Sequence, residues 1–223
     1  MINSNLPSIR IKDAWLLREN ASKYLHELWA KKGDKLANDS WMEKRVAEYN
    51  KAWKPHEQNI LNGLSDTLEL NYRQNIIDVY IAPWFNAFSD PMVIGVMQEP
   101  DLFIDTLTHE LIHRLLTDNT AIPHETMLIE PWQNLFGKNH TFGLLVHIPV
   151  HAVHKSIYLD VLNEPKRLER DIANNKMHEA KDYINAWNYV EKHGHNEIIS
   201  KLKKSYKDLA AVHSQTLINQ KTK

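Results

Sequence analysis

The chain lacks cysteine, long apolar runs and an excess of charge of either sign. Its 223 residues include no cysteine, which excludes disulfide bonds, thiolate metal ligands and cysteine nucleophiles. Lys and Arg number 27 against 28 Asp and Glu, so the chain has no net field that would attract nucleic acid. No apolar run reaches the roughly 18 residues of a membrane-spanning helix, and the first residues lack the apolar segment of a secretory signal. We therefore expect a cytoplasmic protein that binds neither nucleic acid nor membranes.

Glycine is also scarce, and the spacing of apolar residues predicts a chain dominated by helices. Only six glycines are present, which disfavours a turn-rich sheet protein. We predict one α+β domain over residues 1–223. Its successive parts are a helical part over 1–70, a small sheet with two helices over 71–163, and a helical part over 164–223.

Local signals give the expected limits of the elements. In chain order we expect helices over 12–31, from Ser40 to Trp53 and over 56–70, neighbouring strands over 77–81 and 91–96, helices over 100–117 and 148–163, and two polar helices that meet near Gly194. Ser40 and Glu43 have the spacing of a capping box, which predicts that Ser40 caps its helix. Pro100 and Asp101 suit the first turn of the helix that they open.

Histidine is abundant, and seven of the thirteen histidines fall between His109 and His154. Two of them form a His-Glu-x-x-His motif with Glu110, inside the helix predicted over residues 100–117. Residues four apart lie one above the other on a helix, so His109 and His113 can bind one metal ion. Glu110 lies one residue round from His109, from where its carboxylate can take a proton from water on that metal. Because neutral imidazole is a good zinc ligand, the motif predicts a zinc site.

The segment from Thr106 to His113, Thr-Leu-Thr-His-Glu-Leu-Ile-His, resembles the active-site helix of the zincin metallopeptidases, in a gluzincin-like form. The resemblance covers residues 75–163. It implies a zincin-like fold in which a sheet precedes the active-site helix. It also implies that His109 and His113 bind zinc, that Glu110 is the general base, and that a downstream segment supplies the third ligand.

Two positions after the motif differ from sequences of the superfamily that it resembles. Arg114 stands where most zincins have an uncharged residue. Asn119 stands six residues after His113, where the extended metzincin motif has its third histidine. The metzincin pattern is therefore excluded, while the ligands of the shorter motif are unaffected.

The third ligand is expected from a histidine-rich face, because a catalytic zinc site needs three protein ligands and one open position. His147, His151, His154 and Tyr158 are spaced by four, three and four residues, so they share one face of a helix. His151 is the first choice because it is central on this face. His147 is the alternative and ranks second, because Pro149 would place it just before the helix begins.

Other candidates for the third ligand lie outside the centre of that face. Thermolysin-like zincins use a glutamate downstream of the motif, and Glu130 is the nearest such residue. Pro131 follows it and disfavours helical geometry, so we expect Glu130 to lie in a loop. The remaining candidates are His154, His140 and His124.

Together these features predict a zinc-dependent peptidase with one Zn²⁺ per chain and a peptide or protein substrate. Glu110 would act as general base, and Tyr158 would donate a hydrogen bond to the oxyanion, a role that zincins often give to Tyr or His. An extended substrate would pair with an edge strand near Met92–Val96. The alternatives are a zincin-like module that binds metal without catalysis, and a helical protein in which the motif is incidental.

Overall fold

The computed structural model describes residues 6–20, 38–83, 85–96, 99–124 and 126–221, with side chains up to residue 215. Residues 15–20 are helical. The named elements are β1 (Ser8–Asp13), α1 (Asp39–Trp53), α2 (Glu57–Leu68), β2 (Ile76–Ala82), β3 (Phe88–Ser89), β4 (Met92–Gly95), α3 (Pro100–Thr117), α4 (Ile129–Phe136), α5 (Phe142–Ser156), a π-helical turn (Ile157–Val161), α6 (Pro165–Met177), α7 (Lys181–His193) and α8 (His195–Lys221). The predicted helix-dominated α+β class is confirmed.

The strands form one four-stranded mixed sheet in the order β1-β2-β4-β3. β1 pairs with β2 in parallel, β2 with β4 in parallel, and β3 with β4 antiparallel. The prediction that the two apolar runs are neighbouring strands is confirmed. The prediction that the strand near Met92–Val96 is an edge strand is wrong, because β4 lies between β2 and β3. Pairing of a substrate with this region stays a prediction.

The chain divides into two compact units, and α3 belongs to both of them. The first unit, residues 7–58 and 74–111, contains the sheet and α1. In its core Tyr49 stacks on Phe103 with ring centroids 4.2 Å apart, and the Tyr49 hydroxyl donates a 2.6 Å hydrogen bond to the Val96 carbonyl. This division does not test whether residues 1–223 form a single domain, which stays a prediction.

The second unit, residues 59–73 and 112 onward, is helical and has α5 at its centre. α5 packs against α7 and α8, and most of its residues from Leu145 to Ser156 are buried. α3 is uninterrupted from Pro100 to Thr117, so the motif within it has regular helical spacing.

Several predicted limits are wrong for identifiable local reasons. The predicted helix over 12–31 overlaps β1, and its part over 21–37 lies outside the described residues. Asn38, not Ser40, caps α1, because its side chain accepts a 2.9 Å hydrogen bond from the Trp41 amide. Three helices, not two, follow residue 163, although a break at Gly194 is confirmed.

Proline misled two further predictions. α5 begins at Phe142 rather than near Ile148, because Thr141 caps it and Pro149 is accommodated inside the buried helix. Glu130 lies in the first turn of α4 rather than in a loop, since a proline at position 131 is tolerated in a first turn.

None of the helices in the described part of the chain combines the length and the apolar content that crossing a bilayer would require.

Candidate metal centre

α3 holds the His-Glu-x-x-His motif in a buried helix. Pro100 and Asp101 open it as the sequence predicts, since a first-turn proline loses no hydrogen bond and an acidic residue favours the helix dipole. Most of its apolar residues are packed in the core, and six of them are fully buried: Phe103, Leu107, Leu111, Ile112, Leu115 and Leu116. The motif is therefore carried on a fixed scaffold, with His109 and His113 one turn apart.

The residue that joins this pair is His147 of α5. Within the described residues, one group of three or more potential ligands has its ligand atoms close enough for one ion: His109, His113 and His147, all within 4.8 Å of one another. The imidazoles of His113 and His147, both in the second unit, are perpendicular, with ring centroids 5.2 Å apart. His109 and His147 are buried and His113 is partly buried.

The three imidazoles fit a zinc ion in number, type and spacing. Nitrogen atoms bound at 2.0–2.1 Å to one tetrahedral zinc are roughly 3.4 Å apart. The observed upper limit of 4.8 Å lies little more than 1 Å above that separation, within reach of small side-chain rotations. Three histidines leave the fourth position open, which is the ligand set of catalytic rather than structural zinc.

A backbone carbonyl orients His147. Its Nδ1 atom lies 2.6 Å from the Gly143 carbonyl oxygen, one turn earlier in α5. A carbonyl only accepts hydrogen bonds, so Nδ1 carries the proton and Nε2 keeps its lone pair for a metal. Metal-binding histidines characteristically donate their second N–H in this way.

Burial keeps the imidazoles of His113 and His147 neutral, which is the form that binds metal. Burial and, to a lesser degree, the neighbouring His147 together lower the pKa of His113 to about 3. The pKa of His147 is also lowered, mainly by burial. Burial raises the pKa of the Glu110 carboxyl to about 8, and that side chain is only 6% exposed.

The structure places His151, the predicted third ligand, one turn further along α5. It is fully buried, and its ring stacks on Trp187 at a centroid distance of 4.1 Å. Its ring centroid is 5.7 Å from that of His147, and the group of three that the structure brings together does not include it. The member of the face whose ring contacts that of His113 is His147.

The last two members of the histidine-rich face, His154 and Tyr158, are also buried in the second unit. Tyr158 belongs to the π-helical turn, is 1% exposed, and packs against His154 with ring centroids 4.1 Å apart. The role of Tyr158 as oxyanion donor stays a prediction.

The remaining ligand candidates are also outside the group. Glu130 is exposed on α4, and His124 is exposed in the segment before it. The Nε2 atom of His140 lies 2.9 Å from the Phe136 carbonyl oxygen, and its ring packs on Tyr189.

Three residues around His147 were not predicted from the sequence. Gly143 supplies the orienting carbonyl, Tyr183 packs on the imidazole, and Asp182 is the nearby carboxylate whose charge favours a proton on His147. Tyr183 and Trp187 are four residues apart on a mostly polar helix. That spacing was the available signal, because it predicts one aromatic face.

Comparison of the chain with protein-family models, with curated proteins and with solved structures finds no match in any of the three. What the centre does must therefore follow from its own residues.

Proposed function

We propose that this chain is a zinc-dependent metallopeptidase whose metal ligands are His109, His113 and His147. One observation carries the proposal: the three imidazoles, from the motif and from α5, have ligand atoms within 4.8 Å of one another. Zinc bound by three neutral histidines supplies a Lewis acid that polarises a carbonyl group and acidifies water.

Glu110 is the base in this proposal. It follows His109 on α3, and its carboxyl is buried, so its affinity for a proton is higher than that of an exposed glutamate. A nearby cation would favour its carboxylate form and bring its pKa down from about 8 toward the working range of a base. Glu110 would accept a proton from the attacking water and return it to the leaving amine.

A peptide bond is the substrate class that this arrangement favours. Hydrolysis of an amide needs a polarised carbonyl, a base for water and a proton for a poor leaving group, and a His₃ site with an adjacent glutamate provides for all three. Tyr158 is proposed as a hydrogen-bond donor to the oxyanion. We place the activity in the cytoplasm, in accord with the absence of cysteine.

Replacing Glu110 with glutamine tests the proposal, because glutamine keeps the shape of the side chain and removes its basicity. We expect Glu110→Gln to bind zinc within a few-fold of the wild type, while cleavage of an unstructured protein falls by roughly 10²–10⁴-fold. Glu130→Gln is the matched control, since Glu130 is an exposed glutamate on α4 and should keep full activity.

The paired measurement of zinc content and cleavage also separates the two candidate functions. Zinc bound with cleavage lost only in Glu110→Gln supports the peptidase. Zinc bound without any cleavage by the wild type, over a broad panel of peptides, supports the module that binds metal without catalysis. Equal cleavage by wild type and Glu110→Gln would contradict the role of Glu110.

A further inference from the structure

α7 presents two aromatic residues, one turn apart, to two histidines of α5. Tyr183 packs on His147 with ring centroids 3.9 Å apart and planes tilted by 36°. One turn later Trp187 stacks on His151 at 4.1 Å and 14°. Tyr183 also lies near His151, but at a longer centroid distance of 5.5 Å, so its closer ring contact is with His147. All four residues lie in the second unit.

The start of α7 is joined to the start of α5 at the residues that orient His147. The Thr141 hydroxyl, which caps α5, donates a 2.7 Å hydrogen bond to Asp182 Oδ1. Asp182 lies so close to Gly143 that a Cβ atom on that glycine would collide with Asp182 Oδ2. Tyr183, the next residue, is thereby held over the turn that carries His147.

We propose that Tyr183 is a positioning residue for His147, on the premise that His147 is the third metal ligand. The Gly143 carbonyl restrains Nδ1, and the flat Tyr183 ring restrains rotation of the imidazole plane. Together the two contacts fix the plane of the imidazole and leave the ligand lone pair on Nε2. Tyr183 acts through His147, so its aromatic ring matters and its hydroxyl does not.

The expected size of the effect follows from what such contacts do at other metal sites. Loss of a group that orients a metal-binding histidine typically costs 10- to 100-fold in metal affinity. A leucine at position 183 has no flat face, so the imidazole regains rotational freedom that metal binding must then remove. Phenylalanine keeps the face and should restore the affinity.

The test measures zinc affinity of the full chain by competition with a chromophoric chelator, together with the visible spectrum of the Co²⁺-loaded protein. We expect Tyr183→Leu to weaken zinc binding by about 10- to 100-fold and to change the Co²⁺ spectrum. Tyr183→Phe should stay within about threefold of the wild type. Trp187→Leu is the matched control on the same helix, because it removes a more buried ring that packs on His151 rather than on His147.

Three results would overturn the proposal. These are unchanged affinity in Tyr183→Leu, an equal loss in Trp187→Leu, and a loss in Tyr183→Phe as large as in Tyr183→Leu. If Tyr183→Leu unfolds, Tyr183→Met keeps the apolar volume without a flat ring and gives the same comparison. Failure of the metal site itself is distinguishable, because the wild type would then bind no zinc and every variant would match it.

Discussion

Replacing His147 and His151 one at a time should affect zinc binding and folding stability in opposite ways. At a free zinc concentration 100 times its Kd, binding stabilises a folded protein by about 2.7 kcal/mol. For a chain of this size that raises the unfolding temperature by roughly 5–11 °C. If His147→Ala weakens binding at least 100-fold, the same zinc concentration contributes only about 0.4 kcal/mol. The shift then shrinks to roughly 1–2 °C.

His151→Ala should show the reverse. His151 is fully buried against Trp187, so truncation leaves a cavity that costs about 2–4 kcal/mol. The unfolding temperature of the metal-free protein would fall by roughly 4–16 °C. Its ligands are intact, so zinc should still raise that temperature by about as much as in the wild type.

The assay is thermal unfolding followed by circular dichroism, with chelator and with matched free zinc, on wild type and both variants. The reasoning is refuted if the zinc-dependent shift disappears in His151→Ala and persists in His147→Ala. That result would restore His151 as the third ligand.

Three further predictions concern the surroundings of the centre. Tyr158→Phe removes only the hydroxyl group. If Tyr158 donates a hydrogen bond to the oxyanion, this variant should keep its full zinc content and lose turnover by roughly 10²–10³-fold. Unchanged turnover would mean that the Tyr158 ring serves only in packing. Gly143→Ala should lower the free energy of unfolding by about 1–3 kcal/mol, because the added methyl group collides with Asp182. In a double-mutant cycle, the destabilisation caused by Gly143→Ala should be smaller when Asp182→Ala is also present. Burial and the Arg167 charge lower the pKa of His154 from 6.5 to about 3. Below pH 6.5, therefore, His154 is protonated in the unfolded chain and stays neutral in the folded chain. Stability should therefore fall by about 2 kcal/mol per such histidine between pH 6.5 and 5, and urea unfolding of chelator-treated His154→Leu should show a shallower pH dependence.

The elements with strong local signals were predictable from the sequence. The limits of α3 are confirmed at Pro100 and Thr117, because a first-turn proline and acid mark its start. β1 was missed because its alternation is short, with Ile9 and Ile11 as its apolar members, and because helical spacing resumes directly after it. α4 was missed because Pro131 is equally compatible with a helix start and with a loop.

The metal centre was predictable only as far as one helix determines it. The spacing of His109 and His113 is a property of α3 alone, so their proximity follows from the sequence. Which histidine of α5 joins them depends on a contact between residues far apart in the chain, that of His147 with His113. Periodicity places His147 and His151 on one face but does not distinguish them.

Metal analysis of the purified chain tests the central claim most directly. The protein is isolated without chelator, and its metal content per chain is measured by mass spectrometry beside that of His109→Ala. The account predicts about one zinc per wild-type chain and almost none in His109→Ala, because two remaining histidines form too poor a site. A wild-type chain that carries no metal and takes up none, or a His109→Ala chain that retains a full zinc, would contradict it.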